Sequence, residues 1–251
     1  MEKRIVGKEI LKFSSLDSTN DHCRKIAGTS AIDEGTVVWA DKQLMGRGQG
    51  SNTWESESGQ NLTFSIVLYP RFLEASDQFY LSMVASLGLT DFLKEFMKNI
   101  YIKWPNDIYA GDRKIAGILI ENSVMENRID NSILGIGINI NQDSFPKYIP
   151  NPVSLKQITG YRAEPGECLE KICRYTDHWY AMLQKEEKTK IKNRYTKHLY
   201  GLDQLNRYRK GETIFKAYIR GVDNFGRLAL EDDKGETRYF GLKEVEFLQN
   251  K

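Results

Sequence analysis

The chain has 251 residues, of which 40% are hydrophobic and 28% are charged, a composition that is typical of a folded globular protein and excludes a disordered chain. Its 36 Lys and Arg residues nearly balance its 34 Asp and Glu residues, so we do not expect binding to nucleic acid through bulk electrostatics. The N-terminus is too charged for a signal peptide, and the apolar run at residues 115–120 is far shorter than the roughly 18 residues that a membrane span needs.

The cysteines and histidines indicate neither disulfides nor a metal site. The cysteines have no CxxC spacing, and the histidines form no HExxH pattern. We therefore expect three reduced thiols in a cytoplasmic protein, and no resident metal ion. The six residues are Cys23, Cys168, Cys173, His22, His178 and His198.

The N-terminal quarter predicts two strands, a helix and a long loop. Residues 10–13 and 36–40 have the composition of short strands. Between them, Ser18-Thr19-Asn20-Asp21 matches a capping box, so a helix should begin there, continue to Ala27 and end at Gly28. Residues 41–61 show no periodicity, and a structureless stretch of this length is either functional or disordered.

The middle of the chain predicts a long helix and four strands. The helix is expected at residues 78–97, where apolar residues recur at helical spacing. Strands are expected at residues 62–68, 100–103, 114–124 and 129–140, with a hairpin turn at 111–113. Because the turn at residues 126–128 is short, the last two strands should be antiparallel.

The C-terminal part predicts helices followed by a small β unit. Ser154 should cap a short helix that Gly160 ends, and two further helices are expected within residues 167–200. Short strands at 213–219, 227–230, 237–240 and 245–248 would suit a small barrel. We therefore predict an α+β fold with an antiparallel sheet in residues 1–205, and a β domain in residues 206–251.

Three common catalytic or nucleotide-binding signatures are absent from the sequence. It contains no GxxxxGK[ST] loop and no GxSxG elbow, and the Gly46-Arg47-Gly48-Gln49-Gly50 run lacks the spacing and the following helix of a dinucleotide site. An enzyme of this sequence would therefore work without a nucleophile of its own.

Two loop segments could still carry chemistry. Glycines 46, 48 and 50 would let backbone N–H groups converge on an anion, to which Arg47 adds a cation; the alternative is a flexible surface loop. Lys103-Trp104-Pro105-Asn106-Asp107 combines a cation, an aromatic ring and polar side chains, or is an ordinary turn.

Two strand segments are also unusual. By strict alternation, Lys114 shares a largely apolar face with Ala116, Ile118 and Ile120, where it either extends to water or meets an anionic ligand. The run at residues 135–139 has two glycines, which mark either a bulge or the close approach of a ligand.

Taken together and in order, these segments resemble one family, the biotin–protein ligases. The resemblance runs from about Ser18 to Asn141, and five ordered motifs make it specific. The matching residues are Ser18-Thr19-Asn20, Gln43 with Gly46-Arg47-Gly48 and Trp54, Lys103-Trp104-Pro105-Asn106-Asp107, Lys114-Ile115-Ala116-Gly117-Ile118-Leu119-Ile120-Glu121 and Gly135-Ile136-Gly137-Ile138-Asn139.

The resemblance implies a fold and a reaction. The fold is a mixed, largely antiparallel sheet backed by helices, similar to class II aminoacyl-tRNA synthetases, with an SH3-like β-barrel at the C-terminus. The reaction joins biotin to ATP, with Mg²⁺, to give biotinyl-5′-AMP and pyrophosphate. A lysine of a biotin carboxyl carrier protein then displaces AMP. Both attacking groups belong to substrates, which accounts for the missing protein nucleophile.

The resemblance also implies residue roles. Lys114 and Arg47 would be catalytic and would bridge the biotin carboxylate and the α-phosphate. The biotin site would comprise Ser18, Thr19, Asn20, Gln43, Gly46, Arg47, Gly48, Lys114, Gly117, Gly135 and Gly137. The ATP and adenylate site would comprise Arg47, Gln49, Trp54, Asn106, Asp107, Lys114 and Asn139. Relatives often carry Arg at the positions of Gln49 and Asn52, so tight retention of the adenylate is in question here.

Other functions stay open at this point. A lipoate or octanoate ligase shares the superfamily, although the glycine loop with Trp54 and the segment at residues 103–107 favour biotin. A biotin-binding repressor is disfavoured, because the 17 residues before Ser18 are too few for a helix-turn-helix unit. A non-catalytic biotin binder is a third possibility. The strand at residues 129–140 could extend a sheet across a homodimer, or it could be internal.

Overall fold

A mixed sheet forms the larger part of the protein. The structure is a computed structural model, and it describes residues 4–27 and 32–248. The seven strands of this sheet are β1 (Ile10–Phe13), β2 (Val37–Ala40), β3 (Leu62–Leu68), β4 (Ile100–Lys103), β5 (Asp107–Ala110), β6 (Arg113–Met125) and β7 (Arg128–Ile138). Their spatial order is β1-β2-β3-β7-β6-β5-β4. β1 and β2 are parallel and the other neighbours are antiparallel, which confirms the expected mixed, largely antiparallel sheet.

Helices cover both faces of this sheet. Those described are α1 (Thr19–Ala27), α2 (Phe79–Lys94), α3 (Leu155–Thr159), α4 (Pro165–Gln184) and α5 (Lys188–Thr196). α2 is buried on most sides because it packs against α4, α5 and the strands β4 to β6. α1 packs on β2, β3 and β7, over a smaller core that includes Val38 and Val67. The alternate residues Val37 and Ile66 face the main core, as the period of a strand requires.

The predicted helix ends are largely confirmed. The Ser18 side chain accepts a hydrogen bond from the backbone N–H of Asp21, as an N-cap should. Gly28, the expected end of α1, lies outside the described residues. Ser154 caps α3 in a complete capping box with Gln157, and Gly160 ends the helix at φ 76°.

The face of β6 that carries Lys114 was predicted wrongly. Lys114 pairs with Tyr109 but Ala116 pairs with Ile108, so β6 has one extra residue, a β-bulge, between these pairs. A Cβ atom on Gly117 would lie 3.4 Å from Lys114 Nζ. The lysine therefore lies on the side of Gly117, because the bulge reverses the alternation that a regular strand would have.

β7 lies inside the sheet. It pairs with β6 on one side and, from Ser132 to Ile138, with β3 on the other. Over that stretch both edges of the strand are hydrogen-bonded, so the internal alternative is confirmed. A homodimer could not be formed by pairing along this part of β7.

A second sheet follows α5. Its strands are β8 (Leu205–Lys210), β9 (Thr213–Val222), β10 (Leu228–Glu231), β11 (Thr237–Phe240) and β12 (Glu246–Leu248), in the antiparallel order β11-β10-β9-β8-β12. β8 was not predicted, because Tyr208 is its one fully buried side chain among mostly charged neighbours. The buried residues of both sheets belong to one cluster, so the division at residue 205 stays a prediction.

Two further features are the hydropathy of the described helices and the state of the cysteines. None of these helices has the length and hydropathy to span a bilayer. Cys23, Cys168 and Cys173 are all buried and unpaired with one another, as expected of free thiols.

Candidate active site

The predicted site residues meet at one cavity of about 260 Å³. Its walls come from the start of α1, the loop at residues 43–54, the segment at 105–107, and the middle of β6 and β7. Every predicted residue except Gly46 and Asn139 lines it. Those that do are Ser18, Thr19, Asn20, Gln43, Arg47, Gly48, Gln49, Trp54, Asn106, Asp107, Lys114, Gly117, Gly135 and Gly137.

One end of the cavity carries a buried network of neutral polar groups. Gln43 Oε1 accepts hydrogen bonds from the backbone N–H of Thr19 (2.8 Å) and from its hydroxyl (3.1 Å). Ser65 Oγ lies 2.7 Å from Thr19 Oγ1 and 2.6 Å from Asn20 Oδ1. These contacts hold the side chains in fixed orientations, which suits recognition of a polar ring. Ser65 was missed; its signal is a serine inside the fully buried strand β3.

Arg47 is held by two carboxylates. Its guanidinium lies 2.8 Å from Asp21 Oδ1 and 3.1 Å from Glu121 Oε1. Burial alone would lower the pKa of Arg47, but the charges of Glu121 and Asp21 outweigh it and raise that pKa above its usual value. Arg24 pairs with the same two acids, and Glu121 also accepts a hydrogen bond from Asn20. Asp21 and Glu121 thus position Arg47, a role that the sequence did not reveal.

Lys114 forms an ion pair with Asp107. Its Nζ lies 2.7 Å from Asp107 Oδ1 and 5.9 Å from the centre of the Trp54 ring. The Lys114 backbone is fixed from the other side, since its N–H donates to Asn151 and its carbonyl accepts from Val153. The cation is therefore held in place at both its backbone and its ammonium group.

Three glycines of the sheet make room for other side chains. A Cβ atom on Gly137 would lie 2.2 Å from Trp54 Cε2, and one on Gly117 would lie 3.2 Å from Trp54 Cζ3. A Cβ atom on Gly135 would lie 2.1 Å from Asn20 Oδ1. In this structure, the Trp54 indole and the Asn20 amide share the space above these glycines, which was expected to hold the aliphatic chain of biotin.

The loop at residues 46–54 is folded. Trp54 N–H donates to the Gly46 carbonyl, and Gly48 N–H donates to the Asn52 carbonyl. A Cβ atom on Gly46 would lie 2.3 Å from the Trp54 carbonyl oxygen, so Gly46 permits the closure of the loop instead of lining the cavity. Residues 46–54, called the lid below, are thus ordered, and most of them line the cavity.

The two asparagines expected near adenosine differ in position. Asn106 lines the cavity, and its side chain donates to the Ile118 carbonyl. Asn139 is 4% exposed and donates to the Val153 carbonyl, away from the cavity. Asn139 therefore fixes the segment that holds Lys114.

A second cavity of about 220 Å³ adjoins the first. It shares Gln49, Asn106 and Leu119 with the first cavity, and its far side is formed by loops that connect strands of the second sheet, with Arg227 and Leu242 among their residues. The indole N–H of Trp104 bonds the Gly226 carbonyl at 2.8 Å between the two sheets. Ligands larger than the first cavity would thus extend toward the second sheet.

The carboxylates around the cavity, Asp21, Asp107 and Glu121, each pair with a cation. No group of three or more His, Cys, Asp or Glu side chains that could hold a metal ion occurs within residues 4–27 and 32–248. Asp107 is the acid that lines the main cavity, and Lys114 already pairs with it.

Comparison with known proteins identifies the family. The family model of the biotin/lipoate A/B protein ligases matches residues 13–139, just over half of the chain. The chain belongs to this family. Together with the relatives that follow, this match confirms the recognition of the sequence as similar to biotin–protein ligases.

Individual relatives agree. The chain is 32% identical over 188 residues to the bifunctional ligase/repressor BirA of Bacillus subtilis, covering 71% of this chain and 57% of the relative, so it spans little more than half of that protein. It is 31% identical to the biotin–[acetyl-CoA-carboxylase] ligase of Paracoccus denitrificans, covering 70% of this chain and 75% of the relative. The structure of the Aquifex aeolicus biotin protein ligase in complex with biotin and ATP superposes with a TM-score of 0.82 at 25% identity, over 97% of this chain and 100% of that one.

Proposed function

We propose that the chain is an ATP-dependent biotin–protein ligase that forms biotinyl-5′-AMP and transfers biotin to a lysine of a biotin carboxyl carrier protein. The observation that carries this proposal is the single cavity that joins a neutral polar end around Thr19 and Gln43 to a cationic end around Lys114. Biotin has the matching shape, with a polar ureido ring at one end and a carboxylate at the other. The family membership supports the same activity.

The polar end would bind the ureido ring. Ser18, Thr19 and Asn20 are each 3% exposed, so a ring that leaves their polar groups unpaired would bind poorly. Gln43 and Thr19 already bond each other, which orients both for a ligand. Gly48 and the three sheet glycines would line the path of the aliphatic chain, with the Trp54 indole moving aside from Gly117 and Gly137.

The cationic end would perform the first step. A carboxylate oxygen of biotin attacks the α-phosphorus of ATP, and the bond from that phosphorus to the bridging oxygen breaks to release pyrophosphate. Lys114 would donate hydrogen bonds to both anions. Arg47, which Asp21 and Glu121 hold on the side of Asn20 in this structure, would supply the second cation after turning from those acids. Their charge offsets the repulsion between carboxylate and phosphate, and it stabilises the negative charge that builds up in the transition state.

The remaining residues would hold the nucleotide. Trp54 would pack near adenine, and Asn106 would face the adenosine, with Asn139 acting through the backbone that it holds. The Trp54 indole N–H is buried without a partner among the described residues, so it could donate to a bound ligand. Gln49 would contact the phosphate side. Mg²⁺ would arrive with the ATP phosphates. This ion usually keeps several water ligands and is bound by one or two carboxylates of the protein, for which Asp107 is the candidate.

In the second step the carrier lysine attacks the acyl carbon of the mixed anhydride and AMP leaves. The folded lid would exclude water until the carrier docks. We further propose a cytoplasmic enzyme with a catalytic domain of residues 1–205 and an SH3-like domain of residues 206–251, acting without specific nucleic-acid binding. Some relatives are named as repressors, so a gel shift with operator-like duplexes tests the last point.

The decisive experiment is transfer of labelled biotin to a purified carrier domain. We expect label on one carrier lysine when ATP is present, and none without ATP or when that lysine is replaced by Arg. Biotin-dependent exchange of pyrophosphate into ATP reports the first step alone. Exchange supported by lipoate or octanoate and not by biotin would refute the proposal, and biotin binding without any exchange would indicate a non-catalytic binder.

A further inference from the structure

The buried polar network at the Thr19 end of the cavity contains more oxygen contacts than hydroxyl protons. The side-chain oxygens of Gln43, Thr19, Ser65 and Asn20 follow one another at separations of 3.1, 2.7 and 2.6 Å. Only Thr19 and Ser65 carry a hydroxyl proton, because the side-chain oxygens of Gln and Asn are acceptors. Two protons cannot serve three contacts, so one of the three contacts has no hydrogen bond at any given time.

The direction of these hydrogen bonds is fixed at the Asn20 end. The Asn20 amide nitrogen donates to Glu121 Oε2 at 2.8 Å and to the Leu119 carbonyl at 3.3 Å. Because both partners are acceptors, the Asn20 oxygen is the atom that faces Ser65. That oxygen can only accept, so the Ser65 hydroxyl must donate its proton to it across 2.6 Å.

The direction continues from Ser65 to Thr19. Once Ser65 has donated its proton, its oxygen can only accept, so the 2.7 Å contact is a hydrogen bond when the Thr19 hydroxyl donates to Ser65. The longer bond of this hydroxyl to Gln43 Oε1 is the alternative, and that oxygen also accepts from the Thr19 backbone N–H. Thr19 lines the cavity, so a ligand beside its hydroxyl meets lone pairs and no proton.

We infer that Ser65 is a specificity-determining residue, which makes the Thr19 hydroxyl a hydrogen-bond acceptor for an N–H group of the ligand. The inference rests on the proposed function, because it takes biotin as the ligand, whose ureido ring carries two N–H groups. Ser65 is fully buried and does not line the cavity, so it is a positioning residue that acts through Thr19. A ligand with an oxygen in place of that N–H would set lone pairs against lone pairs and would bind poorly.

The test uses biotin and its two cyclic carbamate analogues, each with one ring N–H replaced by oxygen. Calorimetric titration of the wild-type protein should show at least one analogue binding about ten-fold or more weakly than biotin. In Ser65→Ala, the Thr19 hydroxyl is free to turn its proton toward the ring oxygen of the ligand. The penalty on that analogue should therefore fall to about three-fold or less, while biotin itself binds several-fold more weakly than to wild type.

Ser132→Ala is the matched control. Ser132 is also fully buried, in the neighbouring strand β7, and its hydroxyl also donates to an asparagine oxygen, that of Asn122, at 2.6 Å. Because Ser132 does not line the cavity or contact Thr19, Ser132→Ala should keep the full penalty on the analogue even where it lowers stability. Ser65→Thr retains a hydroxyl group at the original position and should keep that penalty as well.

A measurement without ligand tests the bond between the two hydroxyl groups. Ser65→Ala and Thr19→Val each remove one hydroxyl. Urea unfolding should show that the double variant is destabilised by less than the sum of the two single variants, because the two groups share a hydrogen bond.

An unchanged penalty on the analogue in Ser65→Ala would overturn the inference, since the preference would then not depend on the Ser65 hydroxyl. Equal binding of biotin and both analogues to wild type would also overturn it, and so would strict additivity in urea unfolding. If the wild-type protein binds no biotin, the proposed function fails instead. The unfolding measurements would then still decide whether Ser65 and Thr19 are bonded as inferred.

Discussion

Lys114 combines a buried backbone with a cation that points into the cavity. Lys114→Met keeps the length of the side chain, so we expect the fold to be retained and the formation of biotinyl-AMP to be lost. Each charge-assisted contact that is lost is worth about 1.5–3 kcal/mol, so pyrophosphate exchange should fall by at least roughly ten-fold. Exchange assays on purified protein, with melting temperature as the fold check, measure both effects.

Lys156 provides the matched control for this variant. It also forms an ion pair, with Asp143, and its side chain is 29% exposed, against 30% for Lys114. Lys156→Met should therefore change exchange little. Near-normal exchange in Lys114→Met would remove Lys114 from the mechanism.

Because Gly137 has no side chain, the Trp54 indole can lie directly against its backbone. A methyl group at this position would lie 2.2 Å from Trp54 Cε2, so the ring must shift in Gly137→Ala. We expect altered tryptophan fluorescence. We also expect biotin binding weaker by roughly the 1–3 kcal/mol that an extra methyl group costs in a packed site, because the methyl group would stand in the path proposed for the aliphatic chain of biotin. Calorimetric titration with biotin measures the second effect.

A control for Gly137→Ala is available on α4. Gly166 is an ordinary helical glycine whose added Cβ would meet nothing closer than 4.0 Å, so Gly166→Ala should leave biotin affinity unchanged. If Gly137→Ala also binds biotin like wild type with the same fluorescence, the indole does not occupy the place described here.

The short helix α3 matters because of the segment before it. Asn151 and Val153 bond the backbone of Lys114, and Leu155 N–H donates to the Asn139 carbonyl. A helix of five residues depends strongly on its cap, which here is the reciprocal pair of Ser154 and Gln157. The cap therefore helps to hold the catalytic cation.

Ser154→Ala should lower the free energy of unfolding by about 1 kcal/mol. Gln157→Ala should cost less, and the double variant should cost less than the sum, because both side chains belong to one box. Urea unfolding of the four proteins measures this coupling. Simple additivity would mean that the two side chains act independently.

The two sheets are joined through Trp104. Its indole N–H donates to the Gly226 carbonyl, and Gly226 in turn lies against the Phe79 ring of α2. Trp104→Phe would leave a buried carbonyl unpaired, so we expect a loss of about 1–3 kcal/mol, still in one unfolding transition because the core is continuous. Differential scanning calorimetry would show this directly.

Trp39 serves as the control, since it is also buried but its indole N–H has no partner among the described residues. Trp39→Phe should therefore cost less than Trp104→Phe. Two separate transitions in wild type would show instead that residues 206–251 unfold as an independent unit.

The free energy of unfolding should depend on pH through the His198 ring. It is buried between Lys94 and the end of α5, and its Nδ1 lies 2.8 Å from the Arg194 carbonyl oxygen. Burial lowers the pKa of His198 from its usual 6.5, and the charges of Lys94 and Arg194 act in the same direction. The folded state therefore favours the neutral ring, whereas the unfolded chain binds a proton more readily.

The sign of this effect follows from the lowered pKa. Stability is fully present above about pH 6.5 and is lost as the pH falls from 6.5 through the lower pKa of the folded state, by at most about 1.4 kcal/mol per pH unit. His198→Gln should unfold with less dependence on pH between 7.5 and 5.5. Equal slopes for the two proteins in urea unfolding would contradict this assignment.

The sequence alone determined the features that depend on near neighbours. The ends of α3 followed from Ser154 and Gly160, because capping acts within one or two turns, and the structure added Gln157 to the cap. Most strand positions followed from local alternation. β5 was not among the expected strands, and β8 was missed because charged residues obscure its single fully buried side chain, Tyr208. The segments that carry the family resemblance could also be recognised in the sequence, because each is a short run of adjacent residues.

The arrangement of the site required the folded chain. A bulge at β6 places Lys114 beside Gly117, and β-sheet register cannot be read from alternation once a residue is inserted. Glu121 reaches Arg47, and Lys243 reaches Gly50, across long stretches of sequence. Such contacts depend on how sheets and loops pack, and no local pattern of residue types encodes that packing.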